Sequence, residues 1–210
     1  LAIALSVSAM PFMFAARSGN PDLMREIVMP FAEDREGKYI GCWPGTEPNH
    51  GSDTIWATGE FAKADIHMDC IARKDGDEWV INGQKSAWVS NGTIATHALL
   101  WCGVYPERGM TGNAFIIVPL DLPGVSRGKP TNKTGQRALN QGEIFFEDVR
   151  VPSYYMVVPP EVMAVFHPFL FAATNAGIGN TFVGVARAAF EEALAYSEQR
   201  VQGGVPIARH

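Results

Sequence analysis

The spacing of hydrophobic positions divides the chain into three zones. Residues 1–38 are helical in pattern: an apolar run extends through Ala16, and a second helix is predicted from Pro21 with Asn20 as its N-cap. Pro30 marks the expected end of that second helix, because proline breaks the hydrogen-bond pattern of a helix interior. The opening apolar run is short for a membrane span, lacks a basic leader and contains Pro11. These features favour a buried helix over a signal peptide.

Short apolar or alternating runs fill the middle zone, and turn dipeptides separate them. The runs cover residues 39–43, 65–73, 78–82, 98–104, 114–119 and 143–146. Asp-Gly and Asn-Gly turns are expected at residues 75–77, 82–83 and 91–92, and a Pro-Gly turn at 123–124. Many short strands at close spacing predict an antiparallel barrel or sandwich.

The third zone is helical again. Residues 172–199 place apolar side chains at helical spacing, and the Gly-Gly-Val-Pro sequence at 203–206 is expected to end that helix. A lone amphipathic helix needs partners to cover its apolar face, and little sequence remains to supply them. The overall prediction is an α+β chain with the end of one helical domain (1–38), a β-domain (39–153) and the start of a truncated helical domain (154–210).

Composition excludes several classes of function. The chain has 210 residues, is 47% hydrophobic and carries a net charge of -5, which gives no electrostatic reason to expect nucleic acid or an anionic membrane as partner. Its three cysteines are scattered without metal-ligand or disulfide spacing, which indicates a reducing compartment and no metal site.

Two segments carry candidate chemistry. Residues 43–53 form a proline-stiffened, glycine-containing loop in which Thr46, Ser52 and free backbone N–H groups offer donors to a ligand. Read as structure alone, the same loop is a turn in which Glu47 and Asp53 cap nearby backbone. In the second segment, Trp88 and Ser90 lie two residues apart, so on a strand an aromatic face adjoins a hydroxyl. Such a pair suits a planar heterocycle, although a core tryptophan beside a surface serine is the simpler interpretation.

Four segments in fixed order resemble the acyl-CoA dehydrogenase family. They are Thr-Glu-Pro with Gly-Ser-Asp (46–48, 51–53), Asn-Gly-Gln-Lys before Trp88 (82–85), Phe-Glu-Asp-Val-Arg-Val-Pro (146–152) and a helix closing on Arg200 before Pro-Ile (206–207). The resemblance extends from about Gly37 to His210. It implies a middle β-domain between two helical domains, usually assembled as a homotetramer, although a dimer is also considered.

The resemblance also implies FAD as cofactor, bound by a set of residues in three segments. The candidate cofactor-binding residues are Trp43, Gly45, Thr46, Ser52, Trp88, Ser90, Arg200 and Gln202, with Ser52 also at the substrate edge. The implied reaction is α,β-dehydrogenation of an acyl-CoA thioester in fatty acid β-oxidation, with electrons passed to an electron-transferring flavoprotein. A bacterial cytoplasm, or a mitochondrial matrix in a eukaryote, is the expected location.

The resemblance identifies no catalytic base among the residues of this chain. In most family members a glutamate is the catalytic base, and its position is expected beyond His210. A minority of members carry the glutamate at an earlier position, which corresponds here to Thr174, and threonine cannot act as that base. The chain alone is therefore expected to be inactive. Gly45, His50 and Trp56 also depart from the family pattern, so no acyl group is predicted. Two alternatives remain: a flavin monooxygenase or oxidase on the same fold, and a catalytically silent subunit of a heteromeric dehydrogenase.

Overall fold

The computed structural model describes residues 2–54, 63 and 65–210, so Trp56 lies outside the described residues. The chain divides into two compact units, Leu1–His167 and Pro168–His210. The predicted domain boundaries after residues 38 and 153 are a different kind of division and stay a prediction.

Helices open the first unit. They are α1 (Ala2–Arg17), α2 (Pro21–Leu23), a π-helical turn (Met24–Val28) and α3 (Met29–Glu33). The Oδ1 atom of Asn20 accepts hydrogen bonds from the backbone N–H groups of Asp22 and Leu23 at 2.8 and 3.2 Å, which confirms the predicted N-cap. The prediction that this helix ends at Pro30 is wrong. The π-helical turn resets the hydrogen bonds and places Pro30 in the first turn of α3, where its missing N–H costs nothing.

One sheet forms the body of the first unit. Its strands are β1 (Gly41–Cys42), β2 (Ile71–Asp75), β3 (Glu78–Ser90), β4 (His97–Gly103), β5 (Asn113–Pro119), β6 (Val125–Arg127), β7 (Gln141–Pro152) and β8 (Met156–Val158). The order is β6-β7-β3-β2-β4-β5-β8, with β1 paired in parallel to β4. The predicted α+β class is confirmed. The strands of the described residues form an open sheet rather than a closed barrel, because β6 and β8 end it on opposite sides.

Two turn predictions have different outcomes. A two-residue turn joins β2 to β3 between Asp75 and Glu78, as predicted. The predicted turn at Asn82 and Gly83 is wrong, because β3 continues through both residues. Gly83 is required for close approach instead: its φ is 136°, and a Cβ atom there would lie 2.5 Å from the Cα of Cys70.

Helix α4 (Pro160–Gln199) begins in the first unit and makes up most of the second. It contains the helix predicted over 172–199. Strands β9 (Val201–Gln202) and β10 (Val205–Pro206) follow as an antiparallel pair, so the predicted stop after Gln199 is confirmed. By length and composition α4 could cross a membrane, and 17% of its most apolar stretch is buried. A helix in the core of a large helical domain has the same length and composition.

Candidate functional site

The loop at residues 43–54 organises itself through its own hydrogen bonds. The Glu47 N–H donates to the His50 carbonyl at 2.8 Å, and the Gly51 N–H donates to Asp53 Oδ1 at 2.6 Å. His50 Nδ1 lies 2.6 Å from Asp53 Oδ2. Burial opposes ionisation of Asp53, but the hydrogen bonds from His50 and Gly51 outweigh it and hold the pKa of that carboxyl below its usual value. Ser52 opens a 3₁₀ turn and is exposed.

Three backbone carbonyls of this loop accept hydrogen bonds from the sheet. The Ser86 N–H donates to the Thr46 carbonyl at 3.0 Å, and Lys85 Nζ donates to the Gly45 carbonyl at 3.0 Å. The Trp101 N–H on β4 donates to the Pro44 carbonyl at 3.2 Å. The loop therefore lies against β3 and β4, and its backbone meets β3 just before Trp88.

An aromatic cluster supports the loop from below. The Phe115 ring on β5 has its centroid 6.3 Å from that of Trp43 and 5.6 Å from that of Trp101. Trp101 is also 5.0 Å from the His167 ring. Burial lowers the pKa of His167, partly offset by a hydrogen bond involving the Thr54 backbone. Trp43 thus lies at the edge of the aromatic core; Trp43 and Thr46 are both half-buried, and Ser52 is exposed.

A buried ion pair joins the loop to β3. The side chains of Glu47 and Lys85 are both fully buried, and Lys85 Nζ lies 2.6 Å from Glu47 Oε1. Glu47 also accepts hydrogen bonds from the backbone N–H groups of Asp69 at 2.6 Å and Cys70 at 3.1 Å. Sequence reasoning limited Glu47 to local capping and gave Lys85 no role beyond its place in the Asn-Gly-Gln-Lys segment. The signal was present, because alternation along β3 places Lys85 on the same buried face as Ile81.

The far end of β3 presents the two predicted ring-binding side chains. Lys85 pairs with Ile144 and Val89 with Gly142, so β3 advances four residues while β7 advances two. This bulge projects the segment between Lys85 and Val89, and Trp88 is 61% exposed. Ser90, two residues on, is half-buried. A large exposed indole beside a hydroxyl suits a planar ligand.

Gln141, at the start of β7, is a second residue to which sequence reasoning gave no role. Its Nε2 donates to the Trp88 carbonyl at 3.0 Å and to Ser90 Oγ at 3.3 Å. The Ser90 O–H therefore remains available to donate to a ligand. Only cross-strand pairing reveals this role, because Gln141 is paired with Ser90 although 51 residues separate them.

One group among the described residues has the spacing of metal ligands: Glu47, His50 and Asp69, whose ligand atoms all lie within 4.8 Å of one another. Its chemistry does not fit a cation. Both Glu47 oxygens already accept hydrogen bonds, and the Lys85 ammonium lies at hydrogen-bond distance. The group is better described as a hydrogen-bonded network that fixes the loop.

The remaining predicted residues lie in the second unit. Arg200 and Gln202 follow the end of α4, and both are exposed. The Arg200 N–H donates to the Tyr196 carbonyl at 2.8 Å, and its own carbonyl accepts from the Ile207 N–H at 2.8 Å. Thr174 Oγ1 donates to the Leu170 carbonyl at 3.0 Å, within the helix. This hydroxyl serves the backbone of α4 and offers no base.

Comparison with known proteins places this geometry in a family. Residues 42–149 match the family model described as acyl-CoA dehydrogenase, middle domain. A probable acyl-CoA dehydrogenase of Bacillus subtilis (strain 168) is 34% identical over 98% of this chain and 50% of its own length. The mitochondrial short-chain specific acyl-CoA dehydrogenase of Rattus norvegicus is 29% identical over 91% of this chain and 43% of its own.

A solved structure agrees. A glutaryl-CoA dehydrogenase from Mycobacterium smegmatis in complex with FADH2 is 25% identical, with a TM-score of 0.71 over 95% of this chain and 46% of that chain. The present chain thus spans about half the length of the relatives it matches. The match covers the loop, β3 and most of β7, which carry the site, and the chain belongs to the acyl-CoA dehydrogenase family.

Proposed function

We propose that this chain supplies flavin-binding surface to an FAD-dependent enzyme that dehydrogenates acyl-CoA thioesters between the α and β carbons. The observation that carries the proposal is the junction of the loop with β3, where the Ser86–Thr46 hydrogen bond sets a donor-rich loop beside the exposed Trp88. The family match covers this junction.

The residues present fit an isoalloxazine ring. Trp88 offers an open aromatic face, and the hydroxyls of Thr46 and Ser90 offer neutral donors on either side of the bulge. A Cβ atom at Gly51 would meet open space, so a ligand can approach the loop backbone closely there. When bound, FAD accepts a hydride equivalent from the substrate. Trp88 would exclude water from one face of the ring, and Ser90 would hold a hydrogen bond to its edge.

The other roles extend the proposal beyond this surface. Ser52, exposed at the tip of the loop, would contact the substrate side of the ring. Arg200 and Gln202 would bind the pyrophosphate or adenosine part of FAD in a homotetramer or dimer. The electron acceptor would be an electron-transferring flavoprotein, and the enzyme would act in a bacterial cytoplasm or a mitochondrial matrix. The relatives named above support a CoA thioester as substrate class.

A catalytically silent subunit is a second candidate, and one observation favours it. Thr174 and Asn175 carry no carboxylate, and the Thr174 hydroxyl is engaged by the helix backbone. In that case the surface would bind FAD but would not abstract a substrate proton.

The test begins with the protein expressed with its native flanking sequence. We expect it to purify with oxidised flavin absorption, and we expect straight-chain and branched acyl-CoA thioesters to bleach that absorption under anaerobic conditions. Flavin binding without bleaching by any thioester would indicate the silent subunit. Rapid oxygen consumption driven by NADH would contradict the proposal and favour a monooxygenase, and absence of any flavin affinity would contradict both.

Trp88→Ala supplies the residue-level test. Loss of one stacking face should weaken FAD binding about tenfold, measured by flavin fluorescence titration. The matched control is Ile94→Ala, a 48% exposed apolar residue in the turn after β3, which should leave affinity unchanged. Equal effects of the two substitutions would show that Trp88 does not contact the flavin.

A further inference from the structure

The Glu47–Lys85 pair is unusual because both charged side chains are fully buried in the sheet. A buried ion pair gains little over apolar residues of the same volume, since desolvation offsets the attraction between the charges. Stability therefore gives no sufficient reason for two charges at this place. What the pair does have is directional hydrogen bonding to several backbone groups at once.

Those hydrogen bonds connect three separate segments. Lys85 on β3 donates to the Gly45 carbonyl at 3.0 Å and to Glu47 Oε1 at 2.6 Å, and so holds the loop from two points. Glu47 in turn accepts from the Asp69 and Cys70 N–H groups at 2.6 and 3.1 Å, ahead of β2. Lys85 Nζ also contacts the sulfur of Met68 at 3.1 Å.

The pair lies between the two halves of the proposed ring-binding surface. Lys85 donates hydrogen bonds to Gly45 and Glu47, the two residues on either side of Thr46. The Thr46 carbonyl accepts a hydrogen bond from the Ser86 N–H. On the other side, Lys85 is the last residue in register with β7 before the bulge that projects Trp88. A shift of the pair would therefore move Thr46 relative to Trp88, while the rest of the sheet could stay in place.

We propose that Glu47 and Lys85 are positioning residues that fix the Thr46 loop against the Trp88 bulge at the spacing of an isoalloxazine ring. The inference rests on the proposed flavin function and goes beyond it by assigning a role to two residues that cannot touch the ligand from the buried face. Neither residue donates to the flavin; each acts through the backbone of the loop.

The test uses the protein with its native flanking sequence and measures FAD affinity, the visible circular dichroism of bound flavin, and hydrogen exchange of the apoprotein. The variants are Glu47→Gln, which keeps the hydrogen-bonding shape without charge, and the neutral double variant Glu47→Gln with Lys85→Met, which leaves no unpaired buried charge. The matched control is Arg150→Met, which removes exposed ion pairs with Asp75 and Glu78 near the other end of β3.

We expect the double variant to fold and to lose amide protection in residues 43–53. It should bind FAD at least about tenfold more weakly and show altered flavin dichroism, since a small displacement of the loop weakens its contacts with the ring. Glu47→Gln should lie between the double variant and the parent. Arg150→Met should change none of the three measurements. A folded double variant with parental affinity and dichroism overturns the positioning role.

Failure of the positioning role differs from failure of the function. If the parent protein binds no FAD, the proposed function fails; if the parent binds FAD and the variants match it, only the positioning role fails. Should both variants unfold, the parent protein still decides. Its Asp69 and Cys70 amides, which donate to Glu47, must exchange as slowly as the sheet core, and fast exchange there overturns the inference.

Discussion

We expect the folded protein to lose stability in mild acid because of the buried ring of His97. It is the first residue of β4, and its ring lies 5.2 Å from the Phe12 ring and 5.7 Å from the Tyr39 ring. Nδ1 lies 3.0 Å from Thr96 Oγ1. Burial lowers the pKa of His97 from 6.5 to about 4, although Asp121 partly opposes this.

The direction and size of the effect follow from proton binding. Between the two pKa values the unfolded chain binds a proton at this position and the folded chain does not, so acid favours unfolding. The stability is complete above pH 6.5 and declines as the pH falls towards 4. A difference of about 2.5 pKa units corresponds to about 3 kcal/mol, a large share of the stability of a small domain.

Urea denaturation of the parent and of His97→Gln across this pH range measures the effect. Other groups titrate in both proteins, so the informative quantity is the difference between their unfolding free energies. We expect His97→Gln to be the less stable at neutral pH and to gain on the parent by about 3 kcal/mol towards pH 4. Ile117→Val, a fully buried change on the neighbouring strand β5, should lower stability by about 1 kcal/mol at every pH. A pH-independent difference between His97→Gln and the parent would refute the reasoning.

Two further substitutions test the backbone that supports the site. Asn91→Ala should cost about 2–4 kcal/mol in urea denaturation, because Asn91 Nδ2 donates to three oxygens on α1 and β1 and its φ is 64°; a cost below that of a surface change would contradict this. Gly83→Ala should lower the melting temperature sharply, because its Cβ would meet the Cys70 backbone. Gly135→Ala, with open space around it and no positive φ, is the matched control and should change little.

Local patterns predicted the class of fold and most of its strands, because alternation and turn residues act over a few positions. Asn20 and the turn at 75–78 follow such rules and were predicted correctly. The turn prediction at Gly83 was wrong because glycine is required there by the close approach of Cys70, 13 positions earlier in sequence, and not by a local turn. An Asn-Gly dipeptide gives the same local signal in both situations.

Sequence reasoning named the surface residues of the candidate site but not the residues that hold them in place. Trp88 and Ser90 could be paired from their spacing on one strand. Gln141 and Lys85 act across strands or across a buried charge pair, so their partners lie 51 and 38 positions away in sequence. Propensity and spacing contain no information about which distant segments become neighbours.

The bulge before Trp88 also restricts how this strand can change in length. Four steps on β3 against two on β7 leave a surplus of two residues, and two is the full repeat of side-chain direction along a strand. Lys85 and Val89 therefore both face the interior, as they would in an unbroken ladder. Residues can be added or removed here in even numbers without altering which way Ser90 points. An odd change would reverse it and turn the hydroxyl into the core, so parity, more than length, governs variation at this position.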